Sequence, residues 1–249
     1  MNPARLCFLF VLWPGLLPAQ TLSGITDWAA RVELGTPVAG VIARVEAHAG
    51  QRFRQGELLL SLDPRPFELR IQALQAKIDK LKILRKEMQA ELKRAEELYD
   101  RTLLSDHERE LARIKAVSAD ADYRAARSEL ASARLELEYS RLHAPFDLIV
   151  LERQAEKGRV VSPRMKPQTL FVVASSRRMR VLVQVEADML ANLKTGQAVG
   201  VTLGGRRFPG RITVPGLRPS ADGKGYVLEV EFDTGGSLIR SGQPAGVEL

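Results

Sequence analysis

Ser140, His143 and Asp147 are the residues whose types and close spacing could do nucleophilic chemistry. A hydroxyl, an imidazole and a carboxylate form a hydrolytic centre only when each is held within hydrogen-bond reach of the next. Proximity along the chain does not supply that geometry, and His143 reads more simply as the marker of a helix end. No Gly-x-Ser-x-Gly, phosphate loop or metal motif accompanies them. His48, His107 and His143 are scattered, so no metal constellation emerges. Met165, Met179 and Met189 lie too far apart for a short thioether motif and read as core packing. The sole cysteine, Cys7, lies in a leader, so the exported chain is expected to hold no structural disulfide. The expectation is a protein that is not an enzyme and carries no cofactor.

The elements that would position these residues are more informative than the residues. The chain has 249 residues, enough for two or three small domains. Aromatic content is 6%, which suits thin cores and a helical hairpin better than one large globule. The formal net charge is +7, but Lys and Arg are interleaved with Glu, with no basic arm and no aromatic interleaving. Nucleic acid is therefore not an expected partner.

Residues 63–142 read as two long antiparallel helices joined by a tight turn near residues 102–105. The first arm repeats Ile71, Leu74, Ile78, Leu81, Met88, Leu92, Ala95 and Tyr99, with Arg85 as the one interruption. The second repeats Leu111, Ile114, Ser118, Ala121, Ala125, Ser128, Ser132, Leu135, Tyr139 and Leu142. Steps of three and four alternate, so each series predicts one narrow seam along a helix. Asp63 followed by Pro64 is a helix start, and Ser105-Asp106-His107-Glu108 fits a capping box. The second arm is expected to stop at His143-Ala144-Pro145. At ~1.5 Å per residue, arms of about 38 residues reach roughly 55–60 Å.

The flanks are β. Residues 1–20 read as a secretory signal: Arg5, an apolar core over 6–17, and Pro18-Ala19-Gln20 as a cleavage site. Residues 21–35 are weakly patterned and read as a linker or a single strand. Residues 36–62 carry strand formers punctuated by Gly40, Gly50 and Gly56, and residues 144–174 are β again. Neither piece alone can bury a core, so the hairpin is expected to return the second beside the first. From residue 180 onward, about six short strands read as a small barrel.

A β unit split in sequence by a long helical hairpin, with a β-barrel after it, resembles the membrane fusion proteins. These are the HlyD-like periplasmic adaptors of tripartite efflux pumps and type I secretion systems. The resemblance covers Gly40–Asp63 and Ser140–Phe171 as two lipoyl-like half-motifs, with Gly196-Gln197 and residues 242–249 in the barrel. The fold class it implies is α+β and elongated. A long antiparallel coiled-coil hairpin (64–142) is inserted in a lipoyl-like β-sandwich (36–63 and 143–174). A linker (21–35) precedes it and a small β-barrel (175–249) follows. No modified carrier lysine is implied, because the hairpin replaces the turn that would present it.

Adaptors of this family that dock TolC-like outer-membrane channels carry R-x3-L-x6-S at the hairpin tip. Arg94, Leu98 and Ser105 stand at that spacing. The resemblance implies that these three bind the channel, that an inner-membrane transporter of RND or ABC type is the other partner, and that copies pack into a ring. It also implies a periplasmic location. Two departures are visible: Leu148 stands where relatives often carry glycine, and the membrane-proximal domain of resistance-nodulation-division adaptors is expected to be absent or vestigial. A non-catalytic periplasmic module that coils with another helical protein is the alternative reading.

Overall fold

Helix-forming residues fill two long stretches, with proline only in the first turn at Pro66, and both fold as helices. In a computed structural model, which describes residues 21–162, 168–220 and 223–249, the chain begins with β1 (Thr21–Trp28), β2 (Arg31–Leu34), β3 (Gly40–Val45), β4 (Arg52–Phe53) and β5 (Leu58–Leu62). The helices α1 (Arg65–Asp100) and α2 (Asp106–Tyr139) follow. Then come β6 (Arg141–His143), β7 (Leu148–Arg153), β8 (Val160–Val161), β9 (Phe171–Ser175) and β10 (Arg178–Val185). A single helical turn α3 (Ala187–Leu190) leads to β11 (Ala198–Leu203), β12 (Arg206–Pro219), β13 (Tyr226–Asp233) and β14 (Pro244–Glu248). The signal sequence expected at residues 1–20 lies outside the described residues.

The chain divides into two units, one spanning Arg31–Ser176 and the other formed by residues up to Ala30 together with Arg177–Leu249. In the first, the sheets β2-β9-β7-β4 and β6-β5-β3-β8 share one core. Leu59, Leu60, Leu148, Val161, Phe171 and Val173 are among its fully buried members. Gly50 and Gly56 take φ of +85°, a backbone that side-chain-bearing residues rarely adopt, and so turn the chain into and out of β4.

Asp63 and Pro64 open α1 one residue later than expected, at Arg65. The N-cap is Pro64, which makes no side-chain cap bond; Asp63, expected as the cap, stands one residue before it and accepts from the Arg65 amide at 3.1 Å. The residues of α1 shielded from solvent beyond Phe67 are Ile71, Leu74, Ile78, Leu81, Arg85, Met88, Leu92, Ala95 and Tyr99, which is the predicted seam. Arg85, its interruption, sits with its Nε 2.9 Å from Asp120 Oδ1 and its guanidinium 4.9 Å from the Tyr123 ring centre.

On α2 the predicted series is displaced. The buried residues are Ala112, Ala116, Ala119, Ala126, Leu130 and Ala133. Leu111, Ile114, Leu135 and Tyr139, assigned to the seam from the sequence, are 42–56% exposed. Alanines win because α1 already supplies bulky Ile, Leu and Met; small residues opposite them let the helices close without overfilling the interface. Arg70–Glu136, Lys77–Glu129 and Arg85–Asp120 pair across the helices, stepping forward on α1 as they step back on α2.

The helix α2 ends at Tyr139, before the expected stop at residues 143–145. Ser140 already serves the sheet: the Leu62 amide donates to its carbonyl at 2.8 Å. Arg141–His143 then pairs with β5, so Leu142 and His143 belong to a strand. Thr36, buried, donates its hydroxyl to the Tyr139 carbonyl at 2.7 Å, satisfying one of the open carbonyls at the helix end.

Residues 21–35, expected as a linker or a single strand, hold two strands in different units. β2 pairs with β9. β1 pairs with both β10 and β14 and closes a barrel of order β1-β10-β13-β12-β11-β14. Of the six strands expected after residue 180, five lie there and the sixth is β1. Arg180 fastens it, reaching Asp27 on β1 at 2.7 Å and Glu229 on β13 at 3.1 Å. Burial pushes the Asp27 carboxyl up, but the Arg180 hydrogen bond and charge, with hydrogen bonds from the Trp28 amide and Ser241, more than reverse this and hold it below the usual aspartate range.

Candidate functional site

The far end of the hairpin is shaped by two helix caps. At the end of α1, the Leu103 amide donates to the Leu98 carbonyl at 2.9 Å and the Thr102 amide to the Tyr99 carbonyl at 2.8 Å. This is the Schellman pattern, and it requires a left-handed residue, here Thr102 with φ +60°. Glycine is usual at such a position; a β-branched residue there is strained. Ser105 then opens α2 with the capping box that the sequence predicts. Its Oγ accepts from the Glu108 amide at 3.2 Å, and Glu108 Oε2 accepts from the Ser105 amide at 3.0 Å. The Ser105 hydroxyl also donates to Glu108 Oε2 at 2.6 Å. These Ser105 hydrogen bonds hold the Glu108 carboxyl below the usual glutamate range.

Behind the turn lies a groove of about 350 Å³ between the two helices. Its apolar lining comes from Ala95 and Leu98 on α1, Leu104 in the turn, and Leu111 and Ala112 on α2. Arg94, Glu91, Glu108 and Lys115 supply the charges. Arg94 donates to Glu91 Oε2 at 2.6 Å and to Glu87 Oε1 at 3.1 Å. Glu91 and then Glu87 thereby hold it more firmly protonated than an isolated arginine. On the opposite face of the hairpin, the Arg109 guanidinium stacks 4.1 Å from the Tyr99 ring centre and pairs with Asp106.

The structure thus brings Arg94 and Leu98 into one groove, with Leu98 41% exposed. Ser105 does not line the groove; its hydroxyl is committed to the α2 cap. Sequence reasoning missed the α2 side, Leu111 and Lys115. Leu111 had been assigned to the seam, and only the displaced register turns it outward.

Ser140, His143 and Asp147 do not come together as a nucleophilic centre. The Ser140 hydroxyl donates to the Leu137 carbonyl at 2.6 Å, and Asp147 Oδ1 accepts from the Gln55 amide at 3.0 Å. His143 lies exposed on β6 and bonds neither. Among the described residues, no helix is long and apolar enough to cross a membrane.

No family model matches the chain. It is 26% identical over 266 residues to the macrolide export protein MacA of Escherichia coli O157:H7, covering 96% of this chain and 70% of that protein. It is 28% identical over 183 residues to the multidrug resistance protein MdtA of Erwinia amylovora, covering 73% of this chain and 45% of the relative. Among solved structures, the membrane fusion protein Spr0693 of Streptococcus pneumoniae R6 superposes with a TM-score of 0.68 at 16% identity, over 92% of this chain and 97% of that one. A MacA-MexA chimera carrying the Pseudomonas aeruginosa MexA α-hairpin gives 0.63 at 21% identity, over 92% of this chain and 77% of that one. The chain is thus similar in sequence to export proteins along nearly its whole length and similar in fold to a membrane fusion protein.

Proposed function

We propose that the chain is the periplasmic adaptor subunit of a tripartite efflux or secretion system, linking an inner-membrane transporter to a TolC-like outer-membrane channel. The observation that carries this reading is the tip groove. Arg94 and Leu98 face solvent in a concave surface at the distal end of a hairpin whose 36-residue first helix gives a reach of roughly 54 Å. In this reading Arg94 and Leu98 contact the channel, and Ser105 acts by holding the turn. The split β unit is the lipoyl-like sandwich of the family. The role is mechanical linkage, with no catalytic step. Relatives named for macrolide export and multidrug resistance point to small-molecule export as the process served, through a transporter of RND or ABC type.

The displaced seam supports self-association. Leu111, Ile114, Ser118, Ala121, Ala125, Ser128, Ser132, Leu135 and Tyr139 repeat in steps of three and four on the exposed side of α2. In the adaptor reading this stripe meets a neighbouring copy in a ring. The same stripe is what favours the second reading, a periplasmic module that coils with a different helical protein.

A cysteine placed at Leu98 separates the two. Cys7 is the only native cysteine and falls in residues 1–20. A specific adduct in cells with an outer-membrane channel is expected. A well-expressed protein that yields no such adduct overturns the adaptor reading and leaves the coiling module.

A further inference from the structure

The groove at the tip has charges on both walls, and most are already spent inside the hairpin. Arg94 is engaged by Glu91 and Glu87. Glu108 is engaged by both the amide and the hydroxyl of Ser105. Lys115 differs. It is exposed, it lines the groove, and it makes no ion pair or hydrogen bond with a described residue. It stands four residues after Leu111, so the two are neighbours on one face of α2. Leu98, Leu104 and Leu111 lie beside it as apolar floor, with Leu98 and Leu111 more than 40% exposed.

From this charge balance we propose that Lys115 is a second cation, beside Arg94, that the tip offers to its partner. The partner is a helix of the outer-membrane channel that sets an aliphatic side chain onto Leu98 and Leu111 and a carboxylate against Lys115. The inference rests on the adaptor reading above and refines it. Arg94 keeps only its Nη1 clear of Glu91 and Glu87, whereas an approaching carboxylate finds the whole Lys115 ammonium without a competitor. The free ammonium, held beside an aliphatic floor, gives the groove a polarity: acidic and apolar helix faces are accepted, and basic ones are repelled. Arg94, besides its own channel contact, bridges Glu87 and Glu91 along two turns of α1 and keeps their charge from competing for Lys115.

The test uses the full chain with Leu103→Cys, a tip position 70% exposed and outside the groove lining, carrying a benzophenone photocrosslinker. It is expressed in cells with a TolC-like channel, and the adduct is identified by immunoblot. Lys115→Glu is expected to lower the yield of channel adduct roughly tenfold or more, because attraction becomes like-charge repulsion. Lys115→Met, which keeps the stem without the charge, should give an intermediate loss. Lys115→Arg should recover the yield. Arg94→Gln should weaken the adduct less than Lys115→Glu does. Circular dichroism of each variant checks that the hairpin is intact. Equal yields from Lys115→Glu and the parent overturn the proposal while leaving channel docking in place. An adduct between two copies of the chain assigns the groove to self-association and overturns it as well. No adduct with Lys115 intact overturns the docking reading itself.

Discussion

Thr102 and Ser105 fix the geometry of the tip within a few residues of each other. Thr102 is held at φ +60° by two hydrogen bonds to the last turn of α1, and Ser105 exchanges hydrogen bonds with Glu108 at the first turn of α2. The cap has a pH signature with a definite sign. Glu108 titrates below its ordinary value in the folded chain, chiefly because the Ser105 hydroxyl and amide donate to it. A carboxyl depressed by folding stabilises the fold above its unfolded pKa, and that contribution is lost as pH falls through the folded one. Helical circular dichroism of the parent should therefore show a hairpin that weakens on acidification below the usual glutamate range. Glu108→Gln should flatten that part of the profile. Ser105→Ala should cost about 1 kcal/mol of hairpin stability at neutral pH and reduce the same pH dependence, leaving only the part due to the backbone amide. A Ser105→Ala profile that matches the parent would place the acid sensitivity elsewhere.

At the scale of elements, the two helices were legible to different depths. The α1 seam follows directly from its spacing, since the large apolar residues off it, Leu69, Ile83, Leu84 and Leu98, form no three-and-four series of their own. On α2 two stripes share the same three-and-four rhythm. One has Leu111, Ile114, Leu135 and Tyr139 at its ends, and the other is built from alanines. Residue hydrophobicity favours the first; fit to an already bulky partner selects the second. That is a property of the pair of helices, and no reading of α2 alone contains it. The end of α2 was misplaced for a similar reason, because Ser140 is claimed by hydrogen bonding to Leu62, far away in sequence. The seam assignment makes a sharp distinction between adjacent alanines. Ala126 is fully buried, so Ala126→Leu should overfill the interface and cost about 1–3 kcal/mol. Ala125 is exposed, so Ala125→Leu should stay within about 0.5 kcal/mol. Thermal unfolding followed by the helical signal reads both, and equal effects would contradict the register.

For the molecule as a whole, the strand least visible in the sequence closes the barrel. β1 contains Gly24 and Asp27, residue types depleted in strands, and its partners on β10 lie more than 150 residues away. Gly24 has a structural reason to be glycine. A Cβ there would stand 2.6 Å from the Leu182 carbonyl oxygen and 2.7 Å from methyl groups of both Val181 and Val183. Gly24→Ala should therefore loosen the barrel by about 1–3 kcal/mol. Hydrogen exchange should quicken in β1, β10 and β14 while the amides of α1 and α2 keep their protection. Unchanged exchange in those strands would show that the barrel tolerates the methyl.

The pairing of Thr21 with Glu248 also sets an order of events. β1 is the first described strand to be synthesised, yet neither neighbour exists until residues 178–185 and 244–248 have been made. The intervening hairpin is dominated by local contacts and can form early; barrel closure must wait for the most distant contact in the chain. Until then β1 is an unpaired edge, open to mispairing with any other strand it meets. The slow and vulnerable phase of this protein's folding is thus the capture of its opening strand by its final one.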